Sequence, residues 1–170
     1  MERSELVRGL REIDSLQPYG TELFDALALV TVSVAVEAVC LRLNLLTQKV
    51  EVYMTQRSQS DSAYFGQWHC PGSVMRPREN IRDVFNRLAE KEFGSNISSY
   101  RFVANVNHPY EDRGHFLSIV YLCVLEEKEE LRGKWFLVNN LPKKTVETHA
   151  KRIIPVAIGA FVAENTQICF

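Results

Sequence analysis

A surplus of positive charge is the first thing that this 170-residue sequence lacks. It carries 20 Lys and Arg residues against 21 Asp and Glu residues, so its formal net charge is −1. Proteins that bind DNA or RNA use a basic surface to neutralise phosphates, and these totals therefore argue against a nucleic-acid partner. The sequence also lacks a P-loop, a G-x-G-x-x-G segment and a Ser-His-Asp arrangement, which are common motifs of nucleotide binding and acyl transfer.

Paired cysteines are absent as well. The four cysteines are spread along the chain without C-x-x-C or other metal-type spacing. Cys40, Cys123 and Cys169 lie within apolar stretches, a pattern typical of small buried thiols in a reducing compartment. The N-terminal segment mixes acids with bases and has no apolar core, so it does not resemble a secretory signal. We therefore predict a cytoplasmic protein.

An uninterrupted membrane-spanning run is also missing. Residues 23–43 are the strongest candidate, since a bilayer requires ~20 apolar residues. Asp25, Glu37 and Arg42 interrupt this run, and valines occupy every second position from 30 to 36. Alternation of β-branched residues is typical of a strand. The run therefore predicts a buried strand at about 29–43 and no contact with a membrane.

The spacing of apolar residues predicts the helices and strands in the rest of the chain. Apolar residues recur at helical spacing over residues 2–16, which predicts an N-terminal helix. Alternating apolar residues predict further strands at 50–57, 100–108, 115–127 and 134–142. A second helical pattern runs from 145 to about 163, and we expect Pro155 to kink or divide it.

The clearest helix in the sequence begins after Asn80, a good N-terminal cap, with Asp83 completing a partial capping box. An apolar stripe at helical spacing follows and comprises Ile81, Val84, Phe85, Leu88 and Ala89. Gly94 is well placed to end this helix. No internal repeat or linker is present, and the order of elements predicts a single α+β domain, built as an α/β/α sandwich.

The segment around this helix carries a recognisable motif. GQWHCPGS at 66–73 leads into a frame that places Ser73, Glu79, Arg87 and Gly94 at fixed intervals. This arrangement resembles the Nudix superfamily, whose members cleave nucleoside diphosphates linked to another group. Their loop–helix–loop reads G-x5-E-x7-R-E-U-x-E-E-x-G-U, where U is aliphatic. The Glu79-Arg87-Gly94 spacing of that frame is kept here without insertion, although Ser73 replaces the first glycine.

The resemblance covers roughly residues 24–163 and implies a fold as well as a chemistry. It implies a Nudix-like α/β/α sandwich around a mixed sheet at residues 21–170, preceded by an N-terminal helical extension at 1–20. In the family, helix glutamates hold the Mg²⁺ that neutralises phosphoryl oxygens and activates water. The resemblance thus implies Mg²⁺ as the cofactor and Glu92 as its ligand.

Two of the three helix glutamates of the family are replaced. Leu88 and Lys91 occupy their positions, and only Glu92 remains. On an α-helix Glu90 lies about 160° from Glu92, so we expect it to be a solvated surface acid. Leu88 is expected to complete the apolar stripe. The motif therefore supports the fold more strongly than the catalysis.

The resemblance also assigns roles to individual residues. Glu79 and Arg87 tie the loop to the helix in the family, and with Glu92 they form the candidate catalytic set. Arg57, Arg76 and Lys91 are candidates for binding a phosphorylated ligand, because Arg and Lys pair with phosphate oxygens. An acid in the 109–114 turn, Glu111 or Asp112, is a further candidate base, although an acid-rich turn is more often solvated.

Two functions remain open at this point. The first is a divergent Nudix-fold protein that binds a nucleoside diphosphate-type small molecule and whose metal-dependent hydrolysis is weak or lost. The alternative is an active Nudix pyrophosphohydrolase that uses Mg²⁺ at Glu92. Whether the protein is an enzyme is thus undecided. The N-terminal helix is also a candidate for forming a homodimer. Its apolar stripe is equally explained by packing of that helix on its own domain.

Overall fold

The computed structural model of the chain describes residues 2–15, 17–59, 61–126 and 130–165. The strands are β1 (Val32–Asn44), β2 (Lys49–Gln56), β3 (Trp68–His69), β4 (Gly72–Val74), β5 (Ile97–Glu111), β6 (Gly114–Leu125) and β7 (Lys134–Leu137). The α-helices are α1 (Arg3–Glu12), α2 (Gly20–Ala28), α3 (Ile81–Leu88) and α4 (Ile154–Asn165). A π-helical turn, Ala89–Phe93, extends α3, and another, His149–Ile153, leads into α4.

β1 lies at the centre of a seven-stranded sheet of order β3-β2-β1-β6-β5, with β4 paired to β1 and β7 paired to β2. It runs parallel to β6 and antiparallel to β2 and β4, so the sheet is mixed. Residues 35–41 of β1 are buried without a break. A strand covered on both faces requires such a run, which explains the length of its apolar sequence.

Helices cover both faces of this sheet. On one face, Val36, Ala38 and Cys40 of β1 belong to a core cluster with Phe85 and Leu88 of α3. On the other face, β1 packs through a second cluster that includes Val39, Leu41, Ile153, Ile154 and Ala157. The architecture is a single-domain α/β/α sandwich around a mixed sheet, as the sequence predicted.

α3 forms where the sequence predicted it. The Asn80 side chain accepts a hydrogen bond from the Asp83 amide at 3.2 Å, and the Asp83 carboxylate accepts one from the Asn80 amide at 2.9 Å. These reciprocal bonds satisfy two amides at the helix start that have no partner within the helix. Gly94 ends the segment with φ at 69°, a left-handed conformation that suits glycine. The helix and both of its boundaries are confirmed.

α2 was not predicted. Its residues, GTELFDALA, lie partly within the run that was interpreted as one strand, yet Leu, Ala and Glu favour a helix. The alternation begins only after residue 30, and β1 accordingly starts at Val32. Arg113 at the β5–β6 turn holds α2, since its Nη2 lies 2.6 Å from Asp25 Oδ1 and its guanidinium stacks 4.5 Å from the Phe24 ring centre.

The other boundaries differ by smaller amounts. α1 ends at Glu12, none of its residues is buried, and the division between an extension at 1–20 and a domain at 21–170 stays a prediction. Within residues 66–74, Trp68–His69 and Gly72–Val74 form the short strands β3 and β4. Pro155 is the second residue of α4, directly after the π-helical turn, so it divides the C-terminal helical segment as expected.

Two of the cysteine expectations are met. Cys40 and Cys123 are each 1 % exposed and carry free thiols, whereas Cys169 lies outside the described residues. Within the described ranges, no helix is long and apolar enough to cross a membrane.

Candidate functional site

The start of the loop–helix–loop segment is fixed by an arginine–glutamate pair. Arg87 donates from Nη2 to Glu79 Oε2 at 2.7 Å and from Nε to Glu79 Oε1 at 2.9 Å. It also donates to the Ser73 hydroxyl at 2.5 Å, and the Arg76 amide donates to Glu79 Oε2 at 2.8 Å. Partial burial would raise the pKa of Glu79, but these hydrogen bonds lower it. Glu79 and Arg87 therefore hold the loop against α3.

Glu92 lies at the other end of the segment, in the π-helical turn. The Thr55 hydroxyl donates to its Oε2 at 2.9 Å, and His69 Nε2 lies 3.5 Å from the same oxygen. The side chain is 23 % exposed. Burial raises the pKa of Glu92 to about 7, against hydrogen bonds from Thr55 and the Gly72 amide and the charge of Arg57, which lower it. This carboxyl group is therefore poised between its charged and neutral forms near neutral pH.

A second acid, Glu37 of β1, is buried opposite Gly72 of the sequence motif. Glu37 and Gly72 are partners in the β1–β4 register, and Glu37 is 7 % exposed. The Ser118 hydroxyl donates to Glu37 Oε1 at 3.2 Å. Burial raises the pKa of Glu37 to about 8. Sequence reasoning noted Glu37 only as an interruption of an apolar run; a lone acid in a buried strand was the signal that could have identified it.

A cavity of ≈ 470 Å³ adjoins these groups. Its most buried lining residues include Glu37, His69 and Ser118. Its less buried lining includes Arg57, Arg76, Arg113, Phe24 and Tyr64. The cavity thus combines arginines with buried polar side chains.

A second recess, of ≈ 580 Å³, lies beside Glu92. Four cationic side chains line it, namely Arg57, Lys91, Arg132 and Lys134, together with the acids Asp61 and Glu92. Arg57 follows β2 directly and lines both the cavity and this recess. Its Nε lies 3.3 Å from Asp61 Oδ2.

Burial lowers the pKa values of the histidines that line the cavity, His69, His108 and His149. For His69, burial together with the charge of Arg57 lowers the pKa to about 3. Burial also lowers the pKa of His149, whose Nδ1 accepts a hydrogen bond from the Cys70 amide at 3.2 Å. His149 is half-buried, and this hydrogen bond holds the backbone directly after β3.

Solved structures share this architecture. The MutT Nudix hydrolase of Burkholderia pseudomallei is 18 % identical with a TM-score of 0.58, over 70 % of this chain and 93 % of that one. The Nudix domain of Shewanella oneidensis NrtR, solved with ADP ribose, is 16 % identical with a TM-score of 0.59, over 95 % and 99 % of the two chains. The chain has the Nudix fold.

Other comparisons define the limits of this likeness. Shewanella oneidensis NrtR solved with a 27mer DNA is 18 % identical with a TM-score of 0.59, over 77 % of this chain and 63 % of that one. No protein-family model matches the sequence, and no curated protein sequence matches it. At these identities the Nudix likeness is one of fold.

Of the three positions at which Nudix enzymes carry helix glutamates, 88 and 91 hold other residues here and 92 holds Glu92. Leu88 is 2 % exposed and packs in the core, as predicted. Lys91 is exposed and lines the recess that also contains Glu92. Glu90 is exposed, as predicted, although the helical-wheel argument assumed an α-helix where the structure has a π-helical turn. The retained acid thus has a core residue and a cation where Nudix enzymes have acids.

The donor set does not fit the magnesium cluster of Nudix enzymes. In the part of the chain that the structure describes, no three His, Cys, Asp or Glu side chains are grouped so that they could hold a metal ion. Mg²⁺ requires hard oxygen ligands in near-octahedral geometry. Here Glu92 accepts a hydrogen bond from Thr55, its pKa is raised, and Lys91 adds positive charge to the same recess.

The three residues proposed from the sequence to bind a ligand do not line one common site. Arg57 and Arg76 line the cavity, whereas Lys91 lines the recess. Arg57 connects the two because it lines both. The ligand-binding role of these three side chains remains a prediction.

The acidic turn contributes one residue to the cavity. Glu111 lines it, accepts a hydrogen bond from the Tyr64 hydroxyl, and lies 3.8 Å from His108 Nδ1. Asp112 is exposed. Of the two candidate bases, Glu111 is therefore the one placed to meet a ligand.

Proposed function

We propose that this protein binds a nucleoside diphosphate derivative in the 470 Å³ cavity and that metal-dependent hydrolysis of such a ligand is weak or lost. The observation that carries the proposal is the pairing of an arginine-lined cavity with a Nudix helix that keeps one of three metal-binding glutamates. Arginine presents several N–H donors that match phosphate oxygens. In this proposal, cationic side chains supply the positive charge that Mg²⁺ supplies in Nudix enzymes.

The recess beside Glu92 supports binding without a metal. Lys91, Arg132 and Lys134 extend the positive charge of Arg57 past the cavity. A diphosphate that reaches from the cavity past Arg57 would meet cations on both sides. Electrostatic attraction of this kind acts on any phosphate ester, so it gives affinity, while the shape of the cavity gives selectivity.

ADP-ribose is the natural first probe. The NrtR Nudix domain, which matches nearly the whole described chain, was solved with that molecule. ADP-ribose also has two parts that suit the cavity, a diphosphate for the arginines and uncharged groups for the apolar and buried side chains. We propose Arg57 and Arg76 as its phosphate contacts, with Glu79 and Arg87 holding the loop.

Calorimetric titration of ADP-ribose in EDTA tests this directly. We expect binding to the wild-type protein without metal and about tenfold weaker binding to Arg57→Ala, because a hydrogen bond to a charged group contributes roughly 1.5–3 kcal/mol. Arg82→Ala is the matched control, since Arg82 is exposed on α3 and lines neither the cavity nor the recess. Absence of binding, or equal losses in both variants, contradicts the proposal.

The same assay separates binding from hydrolysis. With Mg²⁺ or Mn²⁺ present, we expect little or no turnover of ADP-ribose, nucleoside diphosphate sugars, NADH or dinucleoside polyphosphates. Turnover at ordinary enzymatic rates that Glu92→Gln abolishes would instead establish the alternative, an active pyrophosphohydrolase with its metal at Glu92. Binding and turnover are measured on the same preparation, so inactivity from misfolding is recognised.

Two further proposals concern assembly and location. We propose a homodimer formed through α1, where Leu6, Val7 and Leu10 are exposed and no residue is buried. We also propose a cytoplasmic location, because the buried cysteines carry free thiols. Light scattering of the chain with and without residues 1–13 tests the dimer.

A further inference from the structure

Glu37 is one of the most buried residues that line the cavity, and it has no part in the binding described above. It lies near the middle of β1, is 7 % exposed, and lines the cavity. One carboxyl oxygen, Oε1, accepts the Ser118 hydroxyl at 3.2 Å. The other, Oε2, is buried and has no hydrogen-bond partner among the described residues. Buried polar atoms almost always have a partner, so an unpartnered one on a residue that lines a cavity indicates a place for a ligand atom.

The surrounding backbone keeps space for this oxygen. Gly72 is the β4 partner of Glu37, and a Cβ at position 72 would lie 2.1 Å from Glu37 Oε2. Any other residue at position 72 would displace the carboxyl group or the strand. Ser118 on β6 and Gly72 on β4 thus fix the carboxyl group from two neighbouring strands.

The surroundings of the carboxyl group favour its neutral form. The Ser118 hydroxyl and Gly72 lie against the carboxyl group, and the charge of Arg57, whose Nε is 3.3 Å from Asp61 Oδ2, favours the ionised form without outweighing burial. Burial accordingly raises the pKa of Glu37 to about 8. In the neutral form Oε2 carries the proton and can donate, while Oε1 accepts from Ser118. The titratable and charged groups around it are His69, His108, His149, Glu92, Glu111 and Arg57.

The neighbours of Glu37 also indicate which part of a ligand it meets. Ala35, Phe116 and Ile153 line the same cavity and are apolar. A phosphate placed against Glu37 would lie beside an acidic group and among these apolar side chains. The diphosphate therefore belongs with Arg57 and Arg76, and the uncharged nucleoside part belongs with Glu37.

We propose that Glu37 is a ligand-recognition residue whose Oε2 donates a hydrogen bond to an uncharged acceptor, a ring nitrogen or hydroxyl oxygen, in the nucleoside part of the ligand. This inference rests on the proposed function and deepens it. It makes Glu37 a determinant of selectivity rather than of phosphate affinity. Gly72 and Ser118 are its positioning residues.

Two variants and two probes test the inference. Glu37→Gln keeps the shape and a permanent N–H donor, whereas Glu37→Leu keeps similar volume without any donor. ADP-ribose reports on the nucleoside part, and inorganic pyrophosphate reports on the phosphate contacts alone. Titrations at about pH 6.5 and pH 9 bracket the ionisation of Glu37 near pH 8.

At the lower pH we expect Glu37→Leu to bind ADP-ribose roughly tenfold more weakly than the wild type and Glu37→Gln to bind within about threefold. Pyrophosphate affinity should be the same in all three proteins. Between the two pH values the wild type should lose roughly tenfold in ADP-ribose affinity, and Glu37→Gln should lose little.

The outcomes distinguish this inference from the proposed function. If the wild type binds neither probe, both fail. If it binds ADP-ribose and Glu37→Leu binds equally well, the role of Glu37 alone is overturned. If circular dichroism shows that Glu37→Leu does not fold, the pH dependence of ADP-ribose binding by Glu37→Gln is the test. The role of Glu37 is overturned if Glu37→Gln loses as much ADP-ribose affinity between the two pH values as the wild type does. A loss of pyrophosphate affinity over the same pH range that is larger in the wild type than in Glu37→Gln also overturns it.

Discussion

The acids at the two ends of the loop–helix–loop segment have pKa values shifted in opposite directions. At the start, Glu79 receives two hydrogen bonds from Arg87, and its pKa is lowered. At the end, Glu92 is partly buried and the nearby Glu37 is buried, neither accepts a hydrogen bond from an arginine in the described part of the chain, and their pKa values are raised. The first arrangement stabilises the charged form of an acid, and the second stabilises the neutral form. The start of the loop–helix–loop segment thus keeps the residues of the Nudix motif, whereas the end that holds metal in Nudix enzymes carries Leu88 and Lys91 in place of acids.

The difference gives the two ends opposite effects on stability as pH changes. A raised pKa in the folded state means that the folded protein holds a proton that the unfolded chain releases. The stabilisation from Glu37 is therefore complete below its usual pKa of 4.5 and is lost as pH rises towards about 8. Glu79 behaves in reverse, because its lowered pKa stabilises the fold above its usual value and the effect is lost in acid.

The largest expected effect is the loss of stability as the pH rises and Glu37 ionises. Raising the pH from 5 to 8 should reduce the free energy of unfolding by on the order of 4 kcal/mol through Glu37, because each pKa unit corresponds to about 1.4 kcal/mol. Urea denaturation at a series of pH values measures it. Glu37→Gln has no proton to lose and should show a flatter profile, and an unchanged slope in that variant would contradict the assignment.

Removal of the arginine at the opposite end should have the next largest effect. Arg87→Ala leaves Glu79 and the Ser73 hydroxyl without their shared donor in a largely covered site. We expect a loss of roughly 2–3 kcal/mol in the free energy of unfolding, because a buried partner is left unpaired. Arg82→Ala on the exposed face of α3 should change it by less than about 0.5 kcal/mol. Equal effects of the two substitutions would show that the Glu79–Arg87 pair does not hold the loop.

The smallest effect is expected from restoring one acid at the changed end. Lys91→Glu is an exposed substitution and should alter stability by less than about 0.5 kcal/mol. It should also create weak Mg²⁺ binding beside Glu92, seen as a rise of about 2 °C in Tm at millimolar Mg²⁺. Lys91→Gln removes the positive charge without adding an acid and serves as the control. No difference between the two variants would show that a second carboxylate at position 91 does not create the site.

Much of the fold could be predicted because its signals are local. The Asn80–Asp83 cap, the apolar stripe that buries Leu88 and the terminal Gly94 lie within fifteen residues of one another. Such features depend on helix geometry and backbone hydrogen bonding, which act over one or two turns. α2 was missed because its apolar residues continue without a break into β1, so composition alone did not separate the helix from the strand.

The sequence by itself determined the α/β/α architecture, the capped helix and the replacement of two Nudix glutamates by Leu88 and Lys91. Only the tertiary structure decided where the acids and cations meet. Glu37 and Gly72 are far apart in sequence, yet β1–β4 pairing brings them into contact, and Arg57 lies between two recesses that share no other arginine. Burial then sets the charge of each acid, because a low-dielectric environment disfavours the ionised form unless a partner stabilises it. Burial and partners of this kind arise from contacts between distant segments, and local sequence patterns do not encode them.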